Sequence, residues 1–257
     1  MQCGFFSDTV AKLGRIEKIA MGYTAPMEDA FPMRINKYLA RKKYCTRREA
    51  DTLIEKGLVM LNGKHAVLGD KVQEKDVVEV KFRQKKYHYY AYNKPRGIIT
   101  HSPQGDEVDI ASSIPLKGVF PIGRLDKDSE GLLILTDDGR ITDKLLNPDH
   151  EHEKEYVVAT TEELSEHFKE KMERGVNIEG YQTKPVHVRV LGPQRFAIVL
   201  TEGKKHQIRR MCAALGYTTA RLQRRRIMNI SLAGLKSGQY RPITGPALSV
   251  FLKSLGF

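Results

Sequence analysis

Asp126 is the side chain whose setting first suggests chemistry. It lies in the stretch GRLDKDSEGLLILTDDG, Gly123 to Gly139, two residues after Arg124 and shortly before the β-favouring run Leu132 to Leu135. A carboxylate so placed can attack an electrophilic carbon or stabilise positive charge that develops beside it. The spacing Asp126-x-Asp128-x-Glu130-Gly131, with Asp137 at the twelfth position, also imitates a calcium loop. A calcium loop needs flanking helices and prefers a bidentate Glu at its end. Here Pro121 and Gly123 precede the run and a β-like segment follows. The run Asp149-His150-Glu151-His152-Glu153 offers metal ligands too, but clustered charges between elements read as a solvated loop. No metal is expected.

Composition indicates what such a carboxylate would meet. Lys and Arg total 43 against 31 Asp and Glu, a formal net charge of +12. A field of that sign favours a polyanionic partner, because each basic side chain that reaches a phosphate releases condensed counterions. Cys3, Cys45 and Cys212 are odd in number and widely spaced. That pattern points to a reducing, cytoplasmic setting with neither a disulfide framework nor a zinc site. No run reaches the ~18 apolar residues of a membrane span. The leader from Met1 to Pro32 lacks the apolar core of a secretory signal, and Glu17, Glu28 and Asp29 argue against a transit peptide. Residues 1–32 are expected to be a disordered extension or to precede a natural start at Met33. Coiled-coil heptads are lacking, so a monomer is expected.

Residues 33–80 must present basic side chains. Ile35, Tyr38 and Leu39 recur at helical spacing, while Arg34, Lys37, Arg41, Lys42 and Lys43 fill the other faces. Thr46 and Glu49 form a T-x-x-E capping box. It predicts a second helix from Arg47 that buries Ala50, Leu53 and Ile54 and stops at Gly57. Arg47 and Arg48 fall in its first turn, against the helix dipole, a cost easier to understand if they face phosphates. Asn62-Gly63 predicts a hairpin with a type I′ turn, and Val77 to Val80 a third strand. This αα-then-hairpin order resembles the S4 RNA-binding domain, which implies that the basic residues above bind RNA. Residues 81–89 form a basic, tyrosine-laced join.

From residue 90 to 257 a second domain is expected. Asn93-Lys94-Pro95-Arg96-Gly97 forms a tight loop after a strand, and a further strand at Gly118 to Ile122 leads into the Asp126 stretch. Helices are expected around Ile141 to Leu146, over Glu162 to Arg174, from His206 to Leu215 and near Ala247 to Leu255. Strands outnumber them, and several are arranged as hairpins. The fold class is therefore α+β, with a mixed, mainly antiparallel sheet behind a small N-terminal RNA-binding domain.

Gly123-Arg124-Leu125-Asp126, Ser129-x-Gly131-Leu132-Leu133 and Thr136-Asp137-Asp138-Gly139 together resemble the signature of the ribosomal small- and large-subunit pseudouridine synthase family. Lys94-Pro95-x-Gly97, Lys154-Glu155-Tyr156 and His206-Gln207-Ile208-Arg209-Arg210-Met211 stand in the family's order around it. The resemblance implies a cofactor-free enzyme that breaks the N-glycosidic bond of a uridine, rotates the uracil and joins its C5 to the same sugar carbon. A hydrolytic glycosidase commonly uses two carboxylates. An isomerase that keeps water out can work with one, here Asp126.

The resemblance also implies that Arg209 ion-pairs with Asp126 and that Ile208 packs beneath the base. Tyr156 would lie against the uracil ring and move a proton late in the reaction. Arg124 would fill the space left by the flipped-out uridine. Lys94 is expected to meet substrate phosphate or shape its loop, and His206 to hydrogen-bond near the site. Asp126-Lys127-Asp128-Ser129 and Arg226-Ile227-Met228-Asn229 look closest to the family's F-type large-subunit branch. That implies a uridine in 23S ribosomal RNA, with transfer RNA left open as a second substrate. The alternatives are a small-subunit ribosomal RNA synthase, a non-catalytic RNA-binding or ribosome-assembly protein, and a base-releasing glycosidase.

Overall fold

The computed structural model of the chain describes residues 16–18, 31–81 and 86–257. The chain divides between Lys86 and Tyr87 into two compact units, inside the stretch read as the join.

In the first unit, β1 (Ile16–Lys18) and β2 (Met33–Arg34) precede α1 (Ile35–Arg41) and α2 (Arg47–Glu55). β3 (Val59–Leu61), β4 (Lys64–His65), β5 (Lys71–Val72) and β6 (Val78–Lys81) follow. Ile35, Tyr38 and Leu39 share one core with Ala50, Ile54 and Val59, as an amphipathic helix pair requires. The Thr46 hydroxyl accepts the Glu49 N–H at 3.1 Å, and the Glu49 carboxylate accepts the Thr46 N–H at 2.8 Å. This reciprocal box sets the start of α2. Asn62 and Gly63 take φ of 50° and 77°, the geometry of a type I′ turn between β3 and β4.

The leader departs from expectation in one part. Ile16–Lys18 pairs antiparallel with β6, so these three residues are a strand rather than a disordered extension. They satisfy the N–H and C=O groups that β6 would otherwise expose on that edge. Residues 1–15 and 19–30 of the leader lie outside the described residues.

The second unit opens with β7 (Tyr89–Lys94), α3 (Ile110–Ser113), β8 (Phe120–Ile122) and β9 (Glu130–Thr136). Next come α4 (Ile141–Leu146), β10 (Lys154–Thr160), α5 (Phe168–Glu173), the short pair β11 (Asn177–Ile178) and β12 (Tyr181–Gln182), and the hairpin of β13 (His187–Gly192) with β14 (Arg195–Leu200). It closes with α6 (Gln207–Ala214), β15 (Thr219–Ile227), β16 (Ile230–Ser231), β17 (Tyr240–Pro242) and α7 (Gly245–Ser254). Its main sheet runs β13-β14-β10-β15-β9-β7-β17. Along that order only β15 and β9 pair in parallel. The class is α+β with a mixed, mainly antiparallel sheet.

The run Leu132 to Leu135 is wholly buried because β9 lies between two cores. Leu132 and Ile134 pack with Ile141, Leu145 and Phe251, whereas Leu133 and Leu135 pack with Tyr92, Ile110 and Leu125. Alternate side chains leave opposite faces of a strand, and both faces here are covered, so both must be apolar. The helix expected over Glu162 to Arg174 shortens to α5. The Leu164 N–H donates to Pro193 O at 2.6 Å and the Ser165 N–H to the Tyr217 hydroxyl at 3.1 Å, which ties this segment to neighbouring loops. Among the described residues no helix is long and apolar enough to cross a membrane.

Candidate active site

The parallel seam between β9 and β15 builds the site. Gly131 pairs with Arg224, and its φ is +107°. A Cβ at position 131 would lie 2.3 Å from the Arg224 carbonyl oxygen and 2.7 Å from its nitrogen, so glycine alone permits this approach. Beside the seam lies a cavity of about 360 Å³. The loop before β9 contributes Arg124 and Asp126 to its wall, β10 contributes Lys154 and Tyr156, the start of α6 contributes His206 and Ile208, and β15 contributes Arg224. Tyr156 and Arg224 are direct cross-strand partners. Their side chains share one face, with the guanidinium carbon 6.0 Å from the ring centre.

The loop carrying Asp126 is held at each carbonyl from residue 124 to 129. Arg124 O accepts from Arg224 Nη1 at 3.5 Å, Leu125 O from Thr100 Oγ1 at 2.8 Å, and Asp126 O from the Ser129 N–H at 3.0 Å. Lys127 O accepts from the Gly97 N–H at 2.9 Å, Asp128 O from Arg209 Nη2 at 3.2 Å, and Ser129 O from Lys94 Nζ at 2.8 Å. The donors come from β7 and the loop after it, from α6, from β15 and from the loop itself. Such a clamp fixes the backbone that carries the carboxylate.

Lys94 is fully buried. Its amine also reaches Pro95 O at 2.9 Å and Lys127 O at 3.4 Å. Burial pushes its pKa down to about 8, against the pull of the Asp126, Asp128 and Glu130 carboxylates. Of its two expected roles, the structure supports shaping the loop; an amine enclosed by backbone carbonyls does not meet a substrate phosphate.

The Asp126 side chain is 41% exposed, and His206 Nε2 lies 3.4 Å from its Oδ1. The structure does not bring Arg209 to that carboxylate. Arg209 donates to Thr219 O at 3.3 Å and to Asp128 O at 3.2 Å. Consecutive residues of a helix point about 100° apart. Ile208 faces the cavity, so Arg209 turns towards β15 and the loop backbone. A carboxylate that stays half in water also needs a buried counter-ion less than an enclosed one does.

Sequence reasoning overlooked several groups. Glu202 is buried and accepts from the Tyr181 hydroxyl at 2.6 Å, the Lys184 N–H at 3.2 Å and Gln207 Nε2 at 2.5 Å. It thereby fixes the loop that aims His206, whose φ is +52°. Thr100 and Arg224 clamp the loop, and nothing local in the sequence marks either. Asp138 is fully buried beneath Arg140, with Nε at 2.8 Å, and accepts the Tyr89 hydroxyl at 2.5 Å. Its place in the TDDG motif was legible, but its ion pair was not.

Residues 88–214 match the RNA pseudouridylate synthase family, and residues 33–78 match the S4 domain. The dual-specificity RNA pseudouridine synthase RluF of Escherichia coli K12 is 43% identical over 223 residues, covering 84% of this chain and 77% of the relative. The chain belongs to the RNA pseudouridine synthase family. The ribosomal large subunit pseudouridine synthase B of Bacillus subtilis is 36% identical over 225 residues, covering 82% of this chain and 92% of that protein. A crystal structure of a pseudouridylate synthase superposes with a TM-score of 0.63 at 28% identity, over 87% of this chain and 99% of the other. Membership makes the chain an isomerase, and the non-catalytic alternative falls.

In this synthase Asp126, Tyr156, Ile208 and Arg124 border one cavity, while Lys94 and Arg209 bond to backbone carbonyls of the Asp126 loop. In the first unit Arg34, Arg41, Lys42, Lys43, Arg47 and Arg48 are exposed and Lys37 is half-buried.

Proposed function

We propose that this synthase isomerises a uridine in 23S ribosomal RNA, with transfer RNA as a second substrate class, and that Asp126 is the group that engages the sugar. Support for the target comes from the relatives, one described as a large-subunit enzyme and one as a dual-specificity RNA enzyme. Support for the chemistry comes from one observation. A half-exposed carboxylate on a backbone held at each carbonyl opens onto a cavity walled by Tyr156 and Ile208.

A stacked uridine hides its C1′, so the nucleotide must leave the stack to enter such a cavity. Ile208 offers the base an apolar floor and Tyr156 an aromatic wall. Breaking the C1′–N1 bond leaves the sugar carbon electron-poor. Asp126 then attacks C1′ or shields its charge while the base rotates and C5 bonds to the same carbon. Arg124, exposed at the mouth, takes the place of the extruded base. Arg34, Lys37, Arg41, Lys42, Lys43, Arg47 and Arg48 hold the RNA backbone. The enzyme acts as a monomer in the cytoplasm.

The test is a map of pseudouridines in ribosomal and transfer RNA from cells lacking the gene, complemented with the wild-type chain or with Asp126→Asn. One or more 23S pseudouridines should vanish in the deletion, return with the wild type and stay absent with Asp126→Asn, although that variant still binds RNA. A deletion strain that retains every ribosomal pseudouridine would overturn the 23S target.

A further inference from the structure

Two residues that border the cavity beside Asp126 each keep one buried polar atom unpaired. Ser129 is 1% exposed and Arg224 4%, and both border the cavity. Ser129 Oγ and Arg224 Nη2 have no hydrogen-bond partner among the described residues. Arg224 cannot readily turn to find one. Its Nε donates to Leu132 O at 2.7 Å and its Nη1 to Arg124 O at 3.5 Å, which pins the guanidinium plane. Lys154 stands two residues before Tyr156 on the same strand face, with its amine 3.2 Å from His152 O. Lys154 and Arg224 border the same cavity, and burial together with the charge of Arg224 pushes the Lys154 pKa down. Buried donors without partners occur mainly where a ligand or water completes them.

The reaction supplies a matching acceptor. When the C1′–N1 bond breaks, its electron pair leaves with the base, which becomes a uracil anion with charge spread over N1 and the ring oxygens. Bonding C5 to C1′ uses an electron pair of that anion; the C5 proton then passes to solvent or a neighbouring base and N1 takes up a proton, which restores the ring with no net loss of a proton. Between these steps the anion is detached and must be retained. Asp126 engages C1′ and brings no positive charge to hold it.

We propose that Ser129 Oγ and Arg224 Nη2, with Lys154 adding charge nearby, form an edge that binds the oxygens of the extruded uracil and carries its negative charge until C5 joins the sugar. This assignment rests on the pseudouridine reading above and adds the group that stabilises the leaving base.

Single-turnover kinetics of the full chain on 23S ribosomal RNA transcripts test it, with either uridine or 5-fluorouridine incorporated and the loss of the N1-linked nucleoside followed after digestion, because 5-fluorouridine has no C5 proton to lose and cannot finish as a pseudouridine. Fluorine withdraws electrons, makes the base a better leaving group and lessens its need for a cation. On uridine RNA, Arg224→Gln should be about 100-fold slower and Ser129→Ala about tenfold slower than wild type. On 5-fluorouridine RNA both penalties should shrink by about fivefold or more, because the lost interaction serves charge that develops in the transition state. Affinity for either RNA should stay within about twofold of wild type, since phosphate contacts supply most of it.

Ser129→Ala leaves the backbone clamp intact and so keeps the test decisive if Arg224→Gln folds poorly. Penalties of equal size on the two RNAs, or Ser129→Ala at the wild-type rate on uridine RNA, would overturn the assignment alone. A wild-type chain that converts neither transcript would overturn the 23S reading, and this inference with it.

Discussion

Lysine is among the residues most rarely buried without a partner, and Lys94 shows what a buried one does at this site. Its amine donates to Ser129 O, Pro95 O and Lys127 O. Lys94→Met would strand the Ser129 carbonyl and weaken the clamp on Asp126. It should lower stability by about 2–4 kcal/mol, read from urea unfolding at pH 7. The linkage has a definite sign. The folded-state pKa, about 8, lies below the ordinary 10.5, so between these values the unfolded chain holds more protons. Lys94 therefore adds stability as pH rises through that window, and the methionine variant should lose this rise. An unchanged slope between pH 8 and 10.5 would contradict it. At this scale the meeting of Asp126, Tyr156 and Ile208 at one cavity was legible from motif order. The partners of Arg209 were not, because helical phase and the path of the loop decide which acceptors it reaches.

Among the elements, the parallel pairing of β9 with β15 matters most, because it brings Arg224 beside the Asp126 loop. Its closeness depends on Gly131. Gly131→Ala adds a methyl group against the Arg224 backbone in a left-handed conformation. The cost should be about 3 kcal/mol or more. A drop in the urea midpoint should accompany a loss of turnover larger than the unfolded fraction explains, because the strand shift moves both Asp126 and Arg224. Wild-type stability in this variant would show that the seam is looser than the structure has it. Several elements were readable in advance from local rules, including α2 from its capping box and the β3–β4 turn from Asn62-Gly63. The segment before α5 was not. Its helical pattern is real, but Pro193 and Tyr217 offer competing partners that lie far away in sequence.

The whole molecule carries a net charge of +12, and that charge makes RNA binding depend on salt. Arg47→Glu with Arg48→Glu should weaken RNA affinity by about tenfold or more and reduce the slope of log affinity against log salt by about 2. At saturating RNA the single-turnover rate should stay at the wild-type value. Filter binding across a salt series checks the first claim, and an affinity equal to wild type would remove these arginines from the interface. By itself the sequence determined the two-part organisation, the basic character, the mixed sheet and the family. Each of these rests on local pattern, motif order or summed charge, which need no knowledge of distant contacts. Only the tertiary structure decided that Lys94, Thr100, Arg209 and Arg224 converge on one loop, that His206 stands at the carboxylate, and that Ser129 and Arg224 keep unpaired groups at the cavity. The physical reason is that backbone carbonyls carry no sequence signature. Which side chain satisfies each one follows from strand register and helical phase, and these exist only once the sheet has closed.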